Sequence, residues 1–270
     1  MSAPQRIVCL TEETTETLYL LGEDRRIVGI SGFTVRPPEA RREKPKVSAF
    51  TSAKIDKILA LKPDLVLGFS DLQAGIAAEL IKAGLEVHVF NQRDIDGILR
   101  MIRMLGALVG AEEKTQALTE QLCGRIRSMR SQAAGLSRRP RVYFEEWDAP
   151  MITGIGWVSE LIEIAGGVEC FPEFRGLPLA CDCVIADPME VIRRAPDIII
   201  GSWCGKRFRP ERIAARPGWQ AIPAVARGQV FEIKSSLILK PGPAVLTDGL
   251  DAVAAIVRTW AEGSGQVYRG

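Results

Sequence analysis

The chain has 270 residues, of which 47% are hydrophobic and 25% charged, a balance typical of a globular protein with one large domain or two lobes. The chain has 35 Lys and Arg against 33 Asp and Glu, a net charge of only +2. The overall charge therefore does not indicate nucleic-acid binding. The basic runs at residues 36–46 and 137–141 lack interleaved aromatic residues, so we interpret them as solvated loops.

The location of the protein is predicted from two features of the sequence. No apolar run reaches the roughly 18 residues that a membrane span needs, and no secretory signal is visible at the N-terminus. We therefore expect a cytoplasmic protein with no membrane insertion and six reduced cysteines, the alternative being a periplasmic protein from which a signal was removed.

The first part of the chain alternates predicted strands with predicted helices. This alternation is typical of βαβ units and a mainly parallel sheet. The predicted strands are residues 6–10, 26–31, 64–69 and 86–90, and the predicted helices are 14–22, 53–62, 73–84 and 94–110.

A single long helix is predicted from Ala111 to about Ala134. Its apolar positions, spaced by three or four residues, form one stripe, Leu118, Leu122, Ile126 and Met129. Because this helix belongs to neither set of alternating units, we interpret it as an inter-lobe helix. The predicted domains are an N-terminal lobe (1–110), the inter-lobe helix (111–136), a C-terminal lobe (137–246) and a C-terminal helix (247–270).

The alternation resumes after this helix. The predicted strands are residues 141–147, 197–203 and 228–235, and the predicted helices are 158–167, 188–196 and 244–263.

Two ten-residue stretches repeat each other at an offset of 133 residues. "KPDLVLGFSD" begins at Lys62 and "APDIIIGSWC" at Ala195, and both have the same proline, aspartate and glycine positions. A second match, between "RIVCLTEETTE" and "RVYFEEWDAP", has nearly the same offset. The fold class predicted from the alternation and the repeats is α/β, with two similar lobes and mainly parallel sheets.

Candidate binding residues follow the predicted strands, because ligands of open parallel sheets bind beyond the carboxyl ends of the strands. Aromatic residues make up only 6% of the chain, yet six of them lie at these ends or on loops, which suits a bulky, partly apolar ligand. The predicted ligand-binding residues are Glu12, Glu13, Thr14, Phe33, Thr34, Phe50, Thr51, Phe69, Ser70, Asp71, Glu145, Trp147, Trp157, Trp203, Cys204 and Lys234.

Catalysis has less support in the sequence. The single histidine, His88, lies within a predicted strand, and no glycine-rich phosphate-binding motif follows a strand. One alternative stays open: glutamates 12, 13, 145 and 146 could supply a pair of carboxylates across a cleft, as glycoside hydrolysis needs. We predict no catalytic residues and no catalytic cofactor.

The cysteines leave a metal-handling protein or enzyme open as an alternative of another class. Cys181 and Cys183 form a CxC motif, with Cys204 and Cys170 as further candidates for a soft-metal site. One CxC motif without a second short-spaced pair favours independent cysteines, so we predict no metal.

The segments "RIVCLTEETTETLYLLG", "PPEARREKPKVSAFTSAKIDKILALKPDLVLGF" and "PDIIIGSWCGKRFRPERIAARPGWQAIPAV" resemble the substrate-binding proteins of ABC importers for cobalamin, iron-siderophores and haem. The second half of the chain is most similar to the cobalamin-binding branch. The resemblance implies the class III binding-protein fold, with two Rossmann-like lobes and one long helix. It also implies that Phe33, Phe69, Trp147, Trp157 and Trp203 contact a corrinoid.

The resemblance implies binding without chemistry in a cleft between the lobes. The expected ligand is cobalamin or a related corrinoid, for uptake or intracellular handling, and the alternative is an iron-siderophore, haem or another metal chelate. The expected partner is an ABC importer permease, docked by an acidic residue on each lobe. Glu211 fits this role, whereas the first lobe offers only Asp71 and Glu79 near the expected position. We expect a monomer or weak dimer.

Overall fold

The computed structural model describes residues 3–177 and 179–263. Its strands are β1 (Ile7–Cys9), β2 (Ile27–Ser31), β3 (Lys46–Ser48), β4 (Leu65–Phe69), β5 (Val87–Phe90), β6 (Arg141–Asp148), β7 (Met151–Thr153), β8 (Val168–Glu169), β9 (Ile198–Gly201) and β10 (Val230–Glu232). Its α-helices are α1 (Glu12–Leu20), α2 (Pro38–Glu43), α3 (Ile55–Ala60), α4 (Ala74–Lys82), α5 (Ile95–Val109), α6 (Glu112–Ala134), α7 (Gly156–Ile164), α8 (Met189–Arg194), α9 (Pro210–Ala214), α10 (Pro223–Ala226), α11 (Ser235–Ile238) and α12 (Leu250–Ala261). Within these described ranges, no helix is both long enough and apolar enough to cross a membrane.

The chain divides into two compact units. Unit 1 consists of the described residues up to Cys123 together with Lys240–Ala244. Unit 2 consists of the described residues from Gly124 to Leu239 and from Val245 onward. The chain passes from unit 1 to unit 2 within α6, and a short segment from late in the sequence belongs to unit 1.

Unit 1 is built on a five-stranded sheet in the order β3-β2-β1-β4-β5, and every pair is parallel. The apolar strand residues are buried because helices follow the strands and cover the sheet. One core cluster contains Val8 from β1, Val66 from β4 and Leu80 from α4. The predicted Rossmann-like arrangement is confirmed in this unit.

Unit 2 has a second sheet, in the order β10-β9-β6-β7, with β8 also paired to β6. β6, β8, β9 and β10 pair in parallel, as predicted, whereas β7 runs antiparallel to β6. Only Ala149 and Pro150 connect β6 to β7. A two-residue connection can join only antiparallel neighbours, which explains the strand that the sequence analysis did not predict.

The repeated aspartates accept the same kind of backbone hydrogen bond in both units. Asp64 accepts hydrogen bonds from the backbone N–H groups of Gln5 (2.7 Å) and Arg6 (2.8 Å), at the start of β1. Asp197 accepts one from the N–H of Arg141 (2.9 Å), at the start of β6. In each unit the carboxylate therefore fixes where the first strand begins relative to the strand that follows the aspartate.

The residues before the repeated prolines share an unusual backbone conformation. Lys62 precedes Pro63 with φ of 48°, and Ala195 precedes Pro196 with φ of 43°. Proline disfavours a right-handed helical residue before it, and the left-handed conformation ends α3 and α8. The Pro-Asp pair then directs the chain into β4 or β9.

The long helix α6 is confirmed, but its buried stripe differs from the prediction. Thr115 and Thr119 are buried along with Leu122 and Ile126, whereas Leu118 is only half-buried. The two threonine hydroxyls donate hydrogen bonds to carbonyl oxygens four residues earlier in the chain, at 2.7 and 3.0 Å. This pairing lets polar side chains occupy the buried side of the helix.

Several element boundaries and one placement differ from the prediction. Helix α1 begins at Glu12 rather than at Thr14, so acidic residues occupy its first turn, where the helix dipole favours them. The last predicted helix begins with a π-helical turn, Val245–Gly249, before α12. Trp157, predicted on a loop, lies in the first turn of α7.

We predict that Gly201→Ala destabilises the protein by about 1–3 kcal/mol, the usual cost of overpacking a core. A Cβ at position 201 would lie 1.8 Å from the nearest ring atom of Phe208, and that ring is itself buried against Trp203. Chemical denaturation followed by tryptophan fluorescence measures the change.

Gly75→Ala is the matched control. Gly75 lies in α4, and a Cβ there would meet no atom within 4 Å. Alanine is the better helix former by about 0.5–1 kcal/mol, so this variant should be as stable as the parent or more stable. Equal stability of the two variants would contradict the close packing of β9 against Phe208.

Candidate functional site

The predicted ligand-binding residues differ widely in exposure. Those with exposed side chains are Phe33, Thr51, Asp71, Cys204 and Lys234. Phe50 and Trp147 are half-buried. The buried ones are Glu12, Glu13, Thr14, Thr34, Phe69, Ser70, Glu145, Trp157 and Trp203. Their contacts within each unit show what each side chain does in this structure.

In unit 1, Gln73 connects three loops at the carboxyl ends of the strands. Its side-chain oxygen accepts a hydrogen bond from the N–H of Phe69 (3.0 Å). Its side-chain NH₂ donates to the carbonyl oxygens of Phe50 (2.9 Å) and Leu10 (3.4 Å). Gln73 is fully buried, so one amide fixes the positions of loops that carry two of the predicted aromatic residues.

The aromatic rings of this edge are paired with cations. The guanidinium of Arg93 lies 5.4 Å from the centre of the Phe69 ring and also contacts Asp71, at 3.1 Å. The ammonium of Lys240 lies 5.2 Å from the centre of the Phe50 ring. Such cation–π contacts hold each ring in one orientation.

Phe33 is an exposed aromatic side chain at this edge. It follows β2, and 53% of its surface is accessible. Exposing a phenylalanine gives up about 1.5–3 kcal/mol of burial, so its position at a strand end makes it the leading candidate for a ligand contact in unit 1.

Three glutamates of α1 lie buried beside these loops. Glu12 accepts a hydrogen bond from the N–H of Val35 (2.9 Å), and Glu16 pairs with Arg36 (3.1 Å) and accepts from the N–H of Ala244 (3.1 Å). Burial raises the pKa of Glu12 to about 7, although the Val35 N–H and the charge of Lys240 oppose the rise.

The carboxyl group of Glu13 is also buried beside Glu16. Burial raises its pKa as well, and the Thr11 hydroxyl and its own backbone N–H act in the opposite direction. Glu12 and Glu13, both with raised pKa values, therefore form a protonatable pair after β1.

In unit 2, Glu145 lies within β6, which continues to Asp148 beyond the predicted strand end, and is the centre of a saturated polar network. Its carboxylate receives two N–H groups of Arg216 (2.5 and 2.9 Å), the indole N–H of Trp203 (3.0 Å) and the hydroxyl of Tyr143 (2.9 Å). Glu145 has no exposed surface, and its charge is balanced by the guanidinium of Arg216. The network orients the Trp203 ring at the end of β9.

Two tryptophans of unit 2 share one lysine. The ammonium of Lys206 lies 3.9 Å from the centre of the Trp147 ring and 5.0 Å from the centre of the Trp203 ring. It also binds the carboxylate of Asp148, which Arg212 contacts at 3.4 Å. Burial acts to raise the pKa of Asp148, but the hydrogen bond and charge of Lys206 outweigh it, and the pKa is lowered.

Other predicted residues of unit 2 have local partners. The indole N–H of Trp157 donates to the carbonyl of Ile238 (2.8 Å), so this buried ring fixes α11 against α7. Lys234 pairs with Glu232 at 2.9 Å on the surface. Cys204 is exposed in the turn after Trp203.

The cysteines and the single histidine give no sign of a metal centre. Among residues 3–177 and 179–263, no group of three or more His, Cys, Asp and Glu side chains is placed to hold a metal ion. Cys181 is exposed, and Cys183 is buried with its thiol near the carbonyl oxygens of Phe174 and Leu179. His88 is half-buried in β5 against Phe90, and burial lowers its pKa.

Gln73, Lys206 and Arg216 were missed by the sequence analysis. Gln73 and Lys206 come four and five residues after the ends of β4 and β9, and Arg216 comes after α9, so none of them directly follows a strand. The polar character of Gln73 close to the repeated glycine was a signal for a buried amide. Lys206 and Arg216 offered none, because their roles depend on tertiary contacts with Trp147 and Glu145.

Two relatives share most of the length of the chain. An uncharacterized ABC transporter substrate-binding lipoprotein of Bacillus subtilis is 25% identical over 260 residues, covering 93% of this chain and 79% of that protein. A vitamin B12-binding protein of Vibrio cholerae is 26% identical over 267 residues, covering 94% of this chain and 89% of that protein.

A solved structure has the same fold. The periplasmic haem-binding protein of Roseiflexus sp. RS-1, in its apo form, superimposes with a TM-score of 0.78. It covers 94% of this chain and 99% of that chain at 23% sequence identity. The likeness confirms the fold class predicted from the sequence.

The predicted cytoplasmic location is wrong. It was based on the lack of a visible secretory signal, whereas the similar proteins are described as a substrate-binding lipoprotein and a periplasmic binding protein. These descriptions indicate an extracytoplasmic location.

A family model described as "Periplasmic binding protein" matches residues 7–237. This range includes both sheets and the whole of α6. The match confirms the resemblance seen in the sequence motifs. The chain belongs to the periplasmic binding protein family.

Proposed function

We propose that this protein is the substrate-binding component of an ABC importer, and that it binds cobalamin or a related corrinoid without catalysis. The binding residues are those at the carboxyl ends of the strands in each unit. The observation that carries the proposal is the collection of aromatic side chains at these ends, held in place by cations and buried polar groups.

Unit 1 supports the proposal through its arrangement of rings. The exposed ring of Phe33 and the cation-paired ring of Phe50 belong to loops after β2 and β3, and the cation-paired ring of Phe69 belongs to the last residue of β4. Gln73 binds the backbone of both Phe50 and Phe69, which fixes these two positions before any ligand arrives. Pre-organised aromatic surface lowers the entropic cost of binding a large, rigid ligand.

Unit 2 supports it through the Trp147 and Trp203 rings around Lys206. Polar groups lie beside these aromatic faces, since Asp148 and Arg212 adjoin the same lysine. A corrinoid presents an apolar macrocycle with polar amide side chains at its edge. Aromatic faces with neighbouring donors and acceptors match both parts of such a ligand.

The ligand class is also supported by names of relatives. The Vibrio cholerae relative is a vitamin B12-binding protein, and a relative from Halobacterium salinarum, 24% identical over 254 residues, is a cobalamin-binding protein. The alternative is a haem or another metal chelate, which the haem-binding structure of similar fold favours.

The partner in this proposal is an importer permease that recognises an acidic residue on each unit. Glu211 in α9 is exposed on unit 2. On unit 1, Glu79 in α4 and Asp71 are exposed candidates.

The ligand proposal is tested by calorimetric titration with cyanocobalamin and, separately, with haemin. Saturable heat with cyanocobalamin and none with haemin is the expected result. Binding of haemin alone would replace the corrinoid by the alternative ligand, and no heat with cyanocobalamin at high micromolar concentration would reject the corrinoid proposal.

Phe33→Ala should weaken cyanocobalamin binding about tenfold or more, because removing a large aromatic contact in a binding site costs over 1 kcal/mol. About half of the Phe33 surface is already exposed, so the stability of the protein should change less than for a core aromatic residue. Calorimetric titration and thermal unfolding measure the two effects.

Ile81→Ala is the matched control. Ile81 in α4 is similarly exposed, at 59%, and is not among the proposed ligand contacts. Its affinity for cyanocobalamin should equal that of the parent. An unchanged affinity of Phe33→Ala would remove Phe33 from the binding site.

A further inference from the structure

The buried glutamates of α1 form a group of neighbouring carboxyl groups. Glu12, Glu13 and Glu16 are each no more than 8% exposed. Arg36 pairs with Glu16, and the charge of Lys240 favours the ionised forms of Glu12 and Glu13. Glu13 and Glu16 oppose ionisation of Glu12, so their repulsion adds to the cost of burying its charge.

The contacts of Glu12 show which of its two oxygens can hold a proton. Its Oε2 accepts the hydrogen bond from the N–H of Val35, whereas its buried Oε1 has no hydrogen-bond partner among the described residues. The Oε1 of Glu13 likewise has none there, so the bond to Val35 is what distinguishes Glu12. An ionised oxygen without a donor is costly in a buried position. A protonated Oε1 removes the charge and leaves the Val35 hydrogen bond intact.

The same glutamates hold the loop that exposes Phe33. Glu12 binds the backbone of Val35, and Glu16 binds the side chain of Arg36, two and three residues beyond Phe33. Thr34, which lies between Phe33 and Val35 in the chain, is fully buried. A ligand that covers the Phe33 ring therefore removes water from a loop that is attached directly to the Glu12 carboxyl group.

We propose that Glu12 is a proton-binding residue coupled to the ligand site, so that ligand binding is accompanied by uptake of a proton. This inference rests on the proposed function. Covering the loop makes the surroundings of Glu12 drier, and a drier site favours the neutral carboxyl group over the carboxylate. By linkage, protonation of Glu12 then strengthens ligand binding.

The direction in which ligand affinity changes with pH follows from the pKa of Glu12. The pKa of Glu12 is raised to about 7, so near neutral pH the ligand-free protein is a mixture of both forms. A further rise on binding means that affinity is greatest below this pKa and falls as pH increases through it. Glu13 and Glu16 on α1 oppose ionisation of Glu12, while Lys240 favours it. Cys9, at the end of β1, stays neutral because burial raises its pKa to about 12.

The test is calorimetric titration with cyanocobalamin, which has no group that titrates near neutral pH, in phosphate and in Tris buffer. If binding raises the pKa by one unit, about 0.4 proton is taken up at pH 7, and the affinity is about fivefold weaker at pH 8 than at pH 6. The two buffers have different ionisation enthalpies, so the difference in observed heat gives the number of protons.

Glu12→Gln should abolish the buffer dependence and flatten the pH profile, because glutamine imitates the protonated form and keeps an oxygen for the Val35 N–H. Glu169→Gln is the matched control. The pKa of Glu169 is likewise raised to about 7 by burial, but Glu169 lies in β8 of unit 2. Its Oε1 accepts a hydrogen bond from the N–H of Phe171. Its replacement should leave the proton uptake unchanged.

Three results would overturn the inference. Saturable heat with no buffer dependence in the parent protein contradicts proton linkage while leaving the proposed function standing, and this needs no variant. Loss of proton uptake in Glu169→Gln, with retention in Glu12→Gln, moves the linkage to another residue. No heat in any buffer between pH 6 and pH 8 rejects the corrinoid ligand and this inference with it.

Discussion

The structure depends on one repeated constraint, the aspartate carboxylate that binds the backbone at the start of the first strand of each sheet. Asp64 holds residues 5 and 6 before β1, and Asp197 holds Arg141 at the start of β6. Since strands in a parallel sheet have slanted, evenly spaced hydrogen bonds, a fixed start sets the register of the whole pair. The carboxyl ends of β1 and β4, and of β6 and β9, are thereby placed side by side, and the candidate site residues follow these ends.

The two copies of the motif differ where the strand ends. A Cβ at Gly68 would lie 3.0 Å from the side-chain oxygen of Gln73, whereas one at Gly201 would lie 1.8 Å from the nearest ring atom of Phe208. In unit 1 the polar side chain of Gln73 packs against the glycine and binds the backbone of Phe69 and Phe50. In unit 2 the ring of Phe208 packs against the glycine and contacts Trp203. The same backbone frame thus supports a polar arrangement in one unit and an aromatic arrangement in the other.

The sequence predicted the parts of the fold that local chemistry determines. The alternation of strands and helices, the helix stops before Pro63 and Pro196, and the long α6 could all be read from patterns and breakers. Tertiary contacts decided the rest. Thr115 is buried in place of Leu118 because α5 comes so close at Gly106 that a Cβ there would lie 1.8 Å from the Thr115 hydroxyl. Trp157 looked like a loop residue because nothing local revealed its hydrogen bond to Ile238, 81 residues away.

The buried carboxyl groups of Glu12, after β1, and Glu145, within β6, have different surroundings. Glu145 is fully buried and receives four hydrogen bonds, two of them from its counter-ion Arg216, and these bonds orient Trp203. Glu12 accepts one hydrogen bond, from Val35, and lies beside two other glutamates, and burial raises its pKa to about 7. A carboxylate saturated with hydrogen bonds suits a fixed aromatic wall, because those bonds hold the ring in one orientation. A carboxyl group close to its pKa suits the loop of Phe33, since it responds to small changes in hydration when a ligand covers the loop.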